Sequence, residues 1–400
     1  MTDFEIRRAR DDEYQAVLAA SSVPFSFDPD ESLDPLESMF PTDRMVVGDD
    51  AGQIVGTSAA HAYRVTVPGG AVVGTSGMSF VTVLPTHRRS GVMRVMMQML
   101  LEDAVEAGEP LAALWATEGG IYGRFGFGPT VEMVRQRIDS SKCELVPADP
   151  PGGRVRIVDR GEAMASFGSI HAEVAAGRHG TLHRDNPFAE YNLFDAPWDR
   201  DGFTKQRFAV YEGDDGRGYV TFRTKETSPG TVRFDEMYAT STPARRGLVD
   251  FGLGFDLCRD LVLWGRPADD PIRWMLTDPY AMKSENFDYV WFRLVDLKAA
   301  LVARRYEVDG SFVVAVTDDQ LANNNGTWRI EVTDGVAAVE RCDEAPSLTL
   351  STGVLAALYM GGRRLPSIVE PGAVGADSET IARLDRTFRT TLVPWTSEEF

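Results

Sequence analysis

One pattern that occurs twice constrains the fold of this chain more than any other feature of its sequence. A strand-like run, a proline, paired arginines, a glycine and an apolar helix follow one another in residues 78–101 and again in residues 237–258. In both copies a tyrosine stands 37 positions after the proline, since 122 − 85 and 280 − 243 are equal. The repeat predicts two related structural units, each with a strand, a helix and a second strand.

The first copy has the clearest secondary-structure pattern. Residues 44–70 contain two β-rich runs separated by "DDAGQ", which predicts a hairpin. A strand at 74–85, an amphipathic helix at 90–108 and a buried strand at 110–117 then form a β-α-β arrangement. In the second copy we expect residues 272–280 to form the strand that corresponds to residues 111–122.

The last third of the chain has a different pattern. Alternating residues predict antiparallel strands at 311–318, 326–340 and 347–352, with "NNNG" and "TDG" as turns. A short helix is predicted at 353–362. This α+β module has no nucleotide-type loop and no cluster of titratable residues. Further upstream, a Pro- and Gly-rich stretch at 145–155 indicates a boundary between the two repeated units.

Charge and cysteine content exclude several classes of function. The formal net charge of −19 in 400 residues disfavours nucleic acid and anionic membrane as partners and favours cationic ones. The charged start lacks an apolar signal region and no run is long enough to span a bilayer, so we expect a cytoplasmic protein. Three widely spaced cysteines and five histidines give no metal-ligand spacing. His179 and His183 lack the intervening glutamate of a zinc peptidase, so we expect no metal.

The segment from Val81 to Arg94 carries the strongest indication of a ligand. An arginine-rich turn with a glycine opens a helix directly after a strand. The first amides of a helix have no intrahelical partner, and the helix dipole adds positive charge, so such a terminus can hold a phosphate. Gly91 would let the ligand approach the backbone, and charge would come from Arg88, Arg89 and Arg94. The alternative is a basic, solvated helix start.

A tyrosine surrounded by glycines poses a second question. It lies in "TEGGIYGRFGFG", residues 117–128. Glycine allows backbone dihedral angles that other residues rarely adopt, and it lets another group approach the backbone closely. Tyr122 is therefore either a packed aromatic residue or a proton donor beside a substrate, and the local sequence leaves both open.

These residues resemble those of a known family. The pattern V-x-V-x-P-x-x-R-x-S-G-V-M resembles the pyrophosphate-binding motif of GCN5-related N-acetyltransferases. Arg88 and Gly91 take its first and central positions, while Met93 replaces its final small residue. With two such units, an α+β tail, "EGGIYGRFGFGP" and a terminal "SEEF", the chain is similar over its length to the Eis (enhanced intracellular survival) acetyltransferases of actinobacteria.

The resemblance implies an α/β and α+β fold, with tandem GCN5-related acetyltransferase folds followed by a sterol-carrier-protein-like α+β domain. The implied domains are a catalytic one at 1–147, a degenerate acetyltransferase-like one at 148–288 and the sterol-carrier-like one at 289–400. Hexamers in the family imply a homohexamer.

The resemblance also assigns roles to residues. Acetyl-coenzyme A, with no metal, would contact Val81, Thr82, Val83, Arg88, Arg89, Ser90, Gly91, Val92, Met93, Arg94, Thr117 and Glu118. Tyr122 would protonate the departing coenzyme A thiolate as general acid. The α-carboxylate of Phe400 would enter the same site as general base, with Glu399 steering the cationic amine.

In the second copy the glycine is displaced and Asp250 would place negative charge near a pyrophosphate, so we expect no cofactor there. The family implies aminoglycosides or lysine side chains of peptides as substrates. An acidic loop offers either a wall for such a ligand or only solvated charges, with Asp28, Asp30, Glu31, Asp34 and Glu37 as its members.

Two rival functions stay open at this point. The first is a non-enzymatic carrier of apolar ligands, or a scaffold, in which both upstream units are degenerate. The second is an acyltransferase that acts on a different metabolic amine.

Overall fold

The structure is a computed structural model that describes residues 4–28, 40–150, 152–184, 195, 200–369 and 374–400. The chain forms two compact units, neither of which is continuous in sequence. The first unit comprises Met1–Val131, Tyr289–Thr391 and Glu398–Phe400. The second comprises Glu132–Asp288 and Leu392–Ser397.

The helices and strands fall into three stretches of the chain. The first stretch contains β1 (Glu5–Arg8), α1 (Tyr14–Phe25), β2 (Met45–Asp50), β3 (Gln53–Thr66), β4 (Val72–Val83), α2 (Val92–Glu106), β5 (Leu111–Trp115) and α3 (Gly119–Tyr122). The second contains β6 (Gly128–Asp139), β7 (Gly153–Val158), α4 (Arg160–Gly177), β8 (Arg207–Gly213), β9 (Gly216–Lys225), β10 (Gly230–Ala239), α5 (Thr242–Leu253) and β11 (Cys258–Arg266). The third contains β12 (Met282–Leu294), α6 (Leu297–Ala303), β13 (Gly310–Thr317), β14 (Gly326–Thr333), β15 (Val336–Arg341), β16 (Leu348–Ser351), α7 (Thr352–Tyr359), α8 (Leu365–Ile368) and α9 (Ser378–Phe388).

The first unit contains the predicted β-α-β arrangement. Strands β1 to β4 pair antiparallel in sequence order, and β4 pairs parallel with β5. Helix α2 makes the crossover that a parallel pair requires. The predicted hairpin is confirmed by the antiparallel pair β2 and β3, and the predicted helix by α2.

Helix α2 packs closely on the sheet because two glycines lie beneath it. Its buried face comprises Val92, Met96, Met97, Leu100, Leu101 and Ala104, a spacing typical of one helix face. A Cβ at Gly56 would lie 2.6 Å from Val92 Cγ1, and one at Gly48 would lie 2.8 Å from the same atom. Both distances are shorter than real contacts, so the glycines allow the helix to seat its first turn.

The second unit has the same order of elements, which supports the predicted repeat. Strands β7 to β10 pair antiparallel, and β10 pairs parallel with β11 across helix α5. The strand prediction at 272–280 is wrong, because β11 ends before it and 3₁₀ turns occupy Pro271–Met275 and Pro279–Ala281. Tyr280 is 91% exposed, whereas Tyr122 is 6% exposed, so the equal tyrosine spacing does not mark equivalent positions.

Two strands pair with partners that the repeat does not predict. Strand β6 follows β5 in the chain but pairs antiparallel with β11 in the second unit. The last part of β12 follows that unit but pairs antiparallel with β5 in the first. Local pattern contains no information on such long-range pairing, and the proposed boundaries at 147/148 and 288/289 stay a prediction.

The last stretch of the first unit is the predicted α+β module. Strands β13 to β15 form an antiparallel meander and β16 pairs parallel with β13. Asp334 and Gly335 take positive φ values of 51° and 74° at the β14–β15 turn, as a two-residue hairpin loop requires. No helix in the described ranges is both long and apolar enough to cross a membrane.

A buried ion pair joins this module to the glycine-rich loop of residues 117–128 within the first unit. Nη2 of Arg293 lies 2.8 Å from each carboxylate oxygen of Asp318, and both side chains are almost fully buried. Burial alone would raise the pKa of Asp318, but the Arg293 charge and hydrogen bonds hold it below its usual value. The guanidinium fills the space beside Gly126, where a Cβ would overlap Nη1 of Arg293.

We therefore expect Gly126→Ala to destabilise the first unit. Gly126 has a φ of +80°, and an L-residue there costs about 1–2 kcal/mol before any overlap is relieved. Moving a buried ion pair adds to that cost, so thermal unfolding should occur well below the wild-type temperature. Gly123→Ala is the matched control, because Gly123 has a helical φ of −56° and its Cβ would meet nothing within 4 Å. Equal melting temperatures for the two variants would contradict the assignment.

Candidate active site

Strands β4 and β5 separate within the sheet of the first unit. Their parallel ladder ends at Met78 and Leu114, while β4 continues to Val83. On its other side β4 has a bulge, since Phe80 and Val81 face one residue of β3. Phe80 adopts a φ of +53° there. The residues of β4 after Met78 therefore lie outside the ladder with β5 and contain a bulge, a feature that is common next to active sites.

The opened strand leads directly to the first turn of helix α2. Gly91 is the N-cap residue with a φ of +97°, and no side chain caps the helix amides. The side chains of Arg88, Arg89 and Arg94 are exposed, and within the described ranges none of them is in an ion pair. A Cβ at Gly91 would meet nothing within 4 Å. Free amides, positive charge and open space together suit a phosphate group.

The remaining predicted residues of the loop shape it through their own contacts. Ser90 Oγ donates to the carbonyl oxygen of His87, and Nε2 of His87 lies 3.0 Å from Oδ2 of Asp50. Thr82 Oγ1 is 2.8 Å from Oγ1 of Thr57, on a buried side chain. The apolar side chains pack against the core of the unit, so these positions can offer a ligand only their backbone groups: Val81, Val83, Val92 and Met93.

Tyr122 ends helix α3 as a packed ring that is 6% exposed. Its ring lies 6.3 Å from that of Phe127 and belongs to the α2 core. Burial, and to a smaller extent the charge of Glu118, raise the pKa of Tyr122 to about 12. Thr117 and Glu118 are exposed at the end of β5. Three glycines stand close to Tyr122 in the sequence, and a Cβ at any of them would make no close contact, so packing does not require glycine there: Gly119, Gly120 and Gly123.

Of the predicted C-terminal residues, Phe400 packs against strands β3 and β4 of the first unit. The ring of Phe400 is centred 5.0 Å from the ring of Tyr63, and a Cβ at Gly77 would lie 3.3 Å from it. Gly77 immediately precedes the residue at which β4 leaves β5. Glu398 is buried and Glu399 is exposed. Phe400 therefore lies next to the opening between the strands.

An aromatic group on this face of the sheet was missed by the sequence reasoning. His61 and Tyr63 alternate along β3, with ring centroids 5.5 Å apart. Phe40 lies 3.9 Å from the His61 ring and 4.7 Å from the Phe80 ring, and Phe25 lies 6.1 Å from Phe80. The run "HAYRV" shows the period of two that places His61 and Tyr63 on one face, so this part could have been found.

The corresponding helix start in the second unit is closed. Ser241 caps α5, its Oγ accepting from the amide of Ala244 at 3.2 Å. Gly247 lies inside α5, where a Cβ would be 2.7 Å from the Tyr211 ring, so it is a packing glycine. The role expected for Asp250 is wrong, since Asp250 lies in the third turn of the helix and not at its start.

Two further expectations concern charged groups. Of the acidic loop residues, Asp28 is described, and Asp30, Glu31, Asp34 and Glu37 lie outside the described residues. No group of three or more His, Cys, Asp or Glu side chains in the described parts of the chain is arranged to hold a metal ion.

Comparison with known families matches three parts of the chain. Residues 5–130 match an acetyltransferase (GNAT) domain, and residues 180–294 match a second acetyltransferase (GNAT) domain. Residues 297–397 match a sterol carrier protein domain. The predicted fold class, two acetyltransferase folds followed by a sterol-carrier-like domain, is confirmed.

Relatives match over nearly the whole chain. An uncharacterised N-acetyltransferase of Streptomyces coelicolor is 33% identical over 399 residues, covering 96% of this chain and 95% of that one. The N-acetyltransferase Eis of Mycobacterium tuberculosis is 33% identical over 403 residues, covering 96% of both chains. The crystal structure of Eis1 from Mycobacterium abscessus has a TM-score of 0.86 at 28% identity, covering 99% of this chain and 100% of that one. The chain therefore belongs to the Eis family of GNAT N-acetyltransferases and is itself an N-acetyltransferase.

Proposed function

We propose that the protein transfers the acetyl group of acetyl-coenzyme A to an amine of a cationic substrate, and that the first unit holds the cofactor. The observation that carries this proposal is the opening between β4 and β5, which leads to an uncapped helix start flanked by three exposed arginines. The pantetheine arm would pair with the backbone of β4 beyond Met78. The pyrophosphate would accept hydrogen bonds from the first amides of α2.

In the proposed reaction the amine attacks the thioester carbonyl, a C–N bond forms and the C–S bond breaks. The coenzyme A thiolate leaves and takes a proton from Tyr122, and the resulting phenolate regains one from water. With its pKa raised to about 12, the Tyr122 phenol keeps its proton throughout the neutral range. It can therefore donate a hydrogen bond to sulfur as charge develops, and complete the transfer late in the reaction.

The general base of the proposal is the α-carboxylate of Phe400. An α-carboxylate has an ordinary pKa near 3.5, so it is a weak base for an ammonium group. Partial removal from water or a bridging water would improve it. The ring of Phe400 against Tyr63 and Gly77 supports this placement, and Glu399 would attract the cation.

Aromatic rings and negative charge suit a cationic amine. The faces of Phe and Tyr rings attract cations, and the net charge of −19 adds a long-range attraction. We extend the proposal to aminoglycosides and to lysine side chains of peptides, with a different metabolic amine as the alternative substrate. The family assignment decides between enzyme and non-enzymatic carrier in favour of the enzyme.

We also propose that the protein associates with itself, as a homohexamer. Large apolar side chains are exposed on the second unit: Leu257 at 91%, Trp274 at 73% and Tyr280 at 91%. Exposed aromatic residues of this size are enriched where proteins bind one another. The cytoplasmic location stays a prediction.

The phosphate site predicts that Gly91→Asp abolishes binding of coenzyme A. The aspartate places a negative charge where the pyrophosphate would lie, so the ligand is repelled. Gly108→Asp is the matched control, because Gly108 also has a positive φ of 67°, and its Cβ would also meet nothing within 4 Å. Calorimetric titration should show lost affinity only for the first variant. Retained affinity in Gly91→Asp would place the cofactor elsewhere.

The general-acid role predicts that Tyr122→Phe lowers kcat by about a hundredfold to ten-thousandfold with cofactor affinity unchanged. Only the proton donor is lost, because the ring keeps its packing. Because the pKa of Tyr122 is raised to about 12, the wild-type kcat should show no loss through pH 10, where an ordinary tyrosine ionises. Tyr280→Phe, at an exposed position of the second unit, should change neither constant. An unchanged kcat in Tyr122→Phe would leave this residue a purely packed ring.

A further inference from the structure

The second unit also contains strands that separate beside a crossover helix. The parallel ladder of β10 and β11 ends at Phe234 and Leu263, while β10 continues to Ala239 and β11 to Arg266. Against β9, the register of β10 shifts between Phe234 and Glu236. A bulge and a separation therefore recur on the strand that precedes the helix, as in the first unit.

A buried arginine closes part of this opening. Nη1 of Arg266 donates to the carbonyl oxygen of Met237, on the separated part of β10. Its Nε and Nη2 donate to Oδ2 of Asp270 at 2.9 and 2.7 Å. The guanidinium thus satisfies a backbone group that the ladder leaves unpaired, and it occupies space between the two strands.

A buried indole also lies at this opening, that of Trp395, which is 4% exposed. Its indole Nε1 donates to the carbonyl oxygen of Gly265 on β11 at 2.7 Å, and its ring lies 4.8 Å from that of Tyr238 on β10. The indole therefore contacts both strands beyond the end of their ladder. Its backbone is also held, because its amide donates to the carbonyl oxygen of His179 at 3.0 Å.

Residues on both sides of Trp395 are bound to the same unit. The amide of Val393 donates to Oδ2 of Asp269 at 3.1 Å, and Thr181 Oγ1 donates to the Trp395 carbonyl oxygen at 2.9 Å. Ser397 Oγ lies 2.7 Å from the Tyr238 hydroxyl.

Glycine makes room for this segment. Gly180 has a φ of +85°, and a Cβ there would lie 2.8 Å from the Trp395 amide nitrogen. Gly265 has a φ of +62°, and a Cβ there would lie 3.2 Å from Cβ of Ser397. The unit therefore has a built site for this stretch of chain.

We infer that the second unit keeps the strand opening of an acetyltransferase and uses it to bind residues 392–397 in place of a cofactor. Trp395 is then a positioning residue for the reaction, an inference that rests on the proposed role of Phe400. Three residues follow Ser397, and they span at most about 11 Å. Fixing Ser397 therefore limits where the terminal carboxylate can lie, in a part of the chain that ordinarily frays.

The inference is tested in the full chain with Trp395→Ala, measuring hydrogen exchange of residues 392–400, kcat and the affinity for coenzyme A. We expect the variant to lose exchange protection in this segment and to lose about tenfold to a hundredfold in kcat, while cofactor affinity is unchanged. Val336→Ala, at a 44% exposed position of β15 outside this segment, is the matched control and should behave as wild type. Trp395→Phe keeps a ring but loses the hydrogen-bond donor to Gly265, so its exchange protection and kcat should lie between those of Trp395→Ala and the control. It replaces Trp395→Ala in the test if that variant does not fold.

Retained exchange protection in Trp395→Ala would overturn the binding of residues 392–397, and lost protection with wild-type kcat would overturn the positioning role of Trp395. A variant with two glycines after Phe400 separates this from the proposed base. If that extended protein keeps both wild-type kcat and protection, the α-carboxylate is not the base, and the binding of residues 392–397 is then decided by exchange in Trp395→Ala alone.

Discussion

The site in the first unit depends on one constraint, the separation of β4 from β5 after Met78. A parallel ladder that continued to Val83 would satisfy its backbone groups and leave no place for an extended ligand. The ladder ends at Met78 and Leu114, a bulge against β3 follows at Phe80 and Val81, and the chain then enters the arginine loop and helix α2. In the proposed function, the backbone groups left free after Met78 pair with a pantetheine chain, and its phosphates lie at the helix start.

The two units show how the same irregularity can serve two purposes. In the first unit the helix start is uncapped at Gly91, and space is open around it. In the second unit Ser241 caps the helix, the Arg266 guanidinium donates to a carbonyl oxygen of β10, and the Trp395 indole contacts both separated strands. The geometry that we propose binds a cofactor in one copy therefore suits a segment of polypeptide in the other.

Sequence reasoning predicted the parts of the fold that local sequence pattern determines. Period and turn chemistry predicted β2, β3 and α2, and the loop at Gly91 was predicted from its arginines and its place after a strand. Local pattern carries no information on which distant strands pair, so the sequence did not predict that β6 pairs with β11. Spacing alone also misplaced Tyr280, because two 3₁₀ turns and a capped helix replace the elements that the first copy has there.

The central claim is that each chain has one cofactor site, formed by the first unit. Calorimetric titration of the wild-type protein with acetyl-coenzyme A, in the absence of an amine, measures this number directly. The account predicts one molecule bound per chain. Two molecules per chain would show that the second unit also binds the cofactor in spite of Trp395 and Arg266, and none would remove the basis for placing acetyl-coenzyme A between β4 and β5.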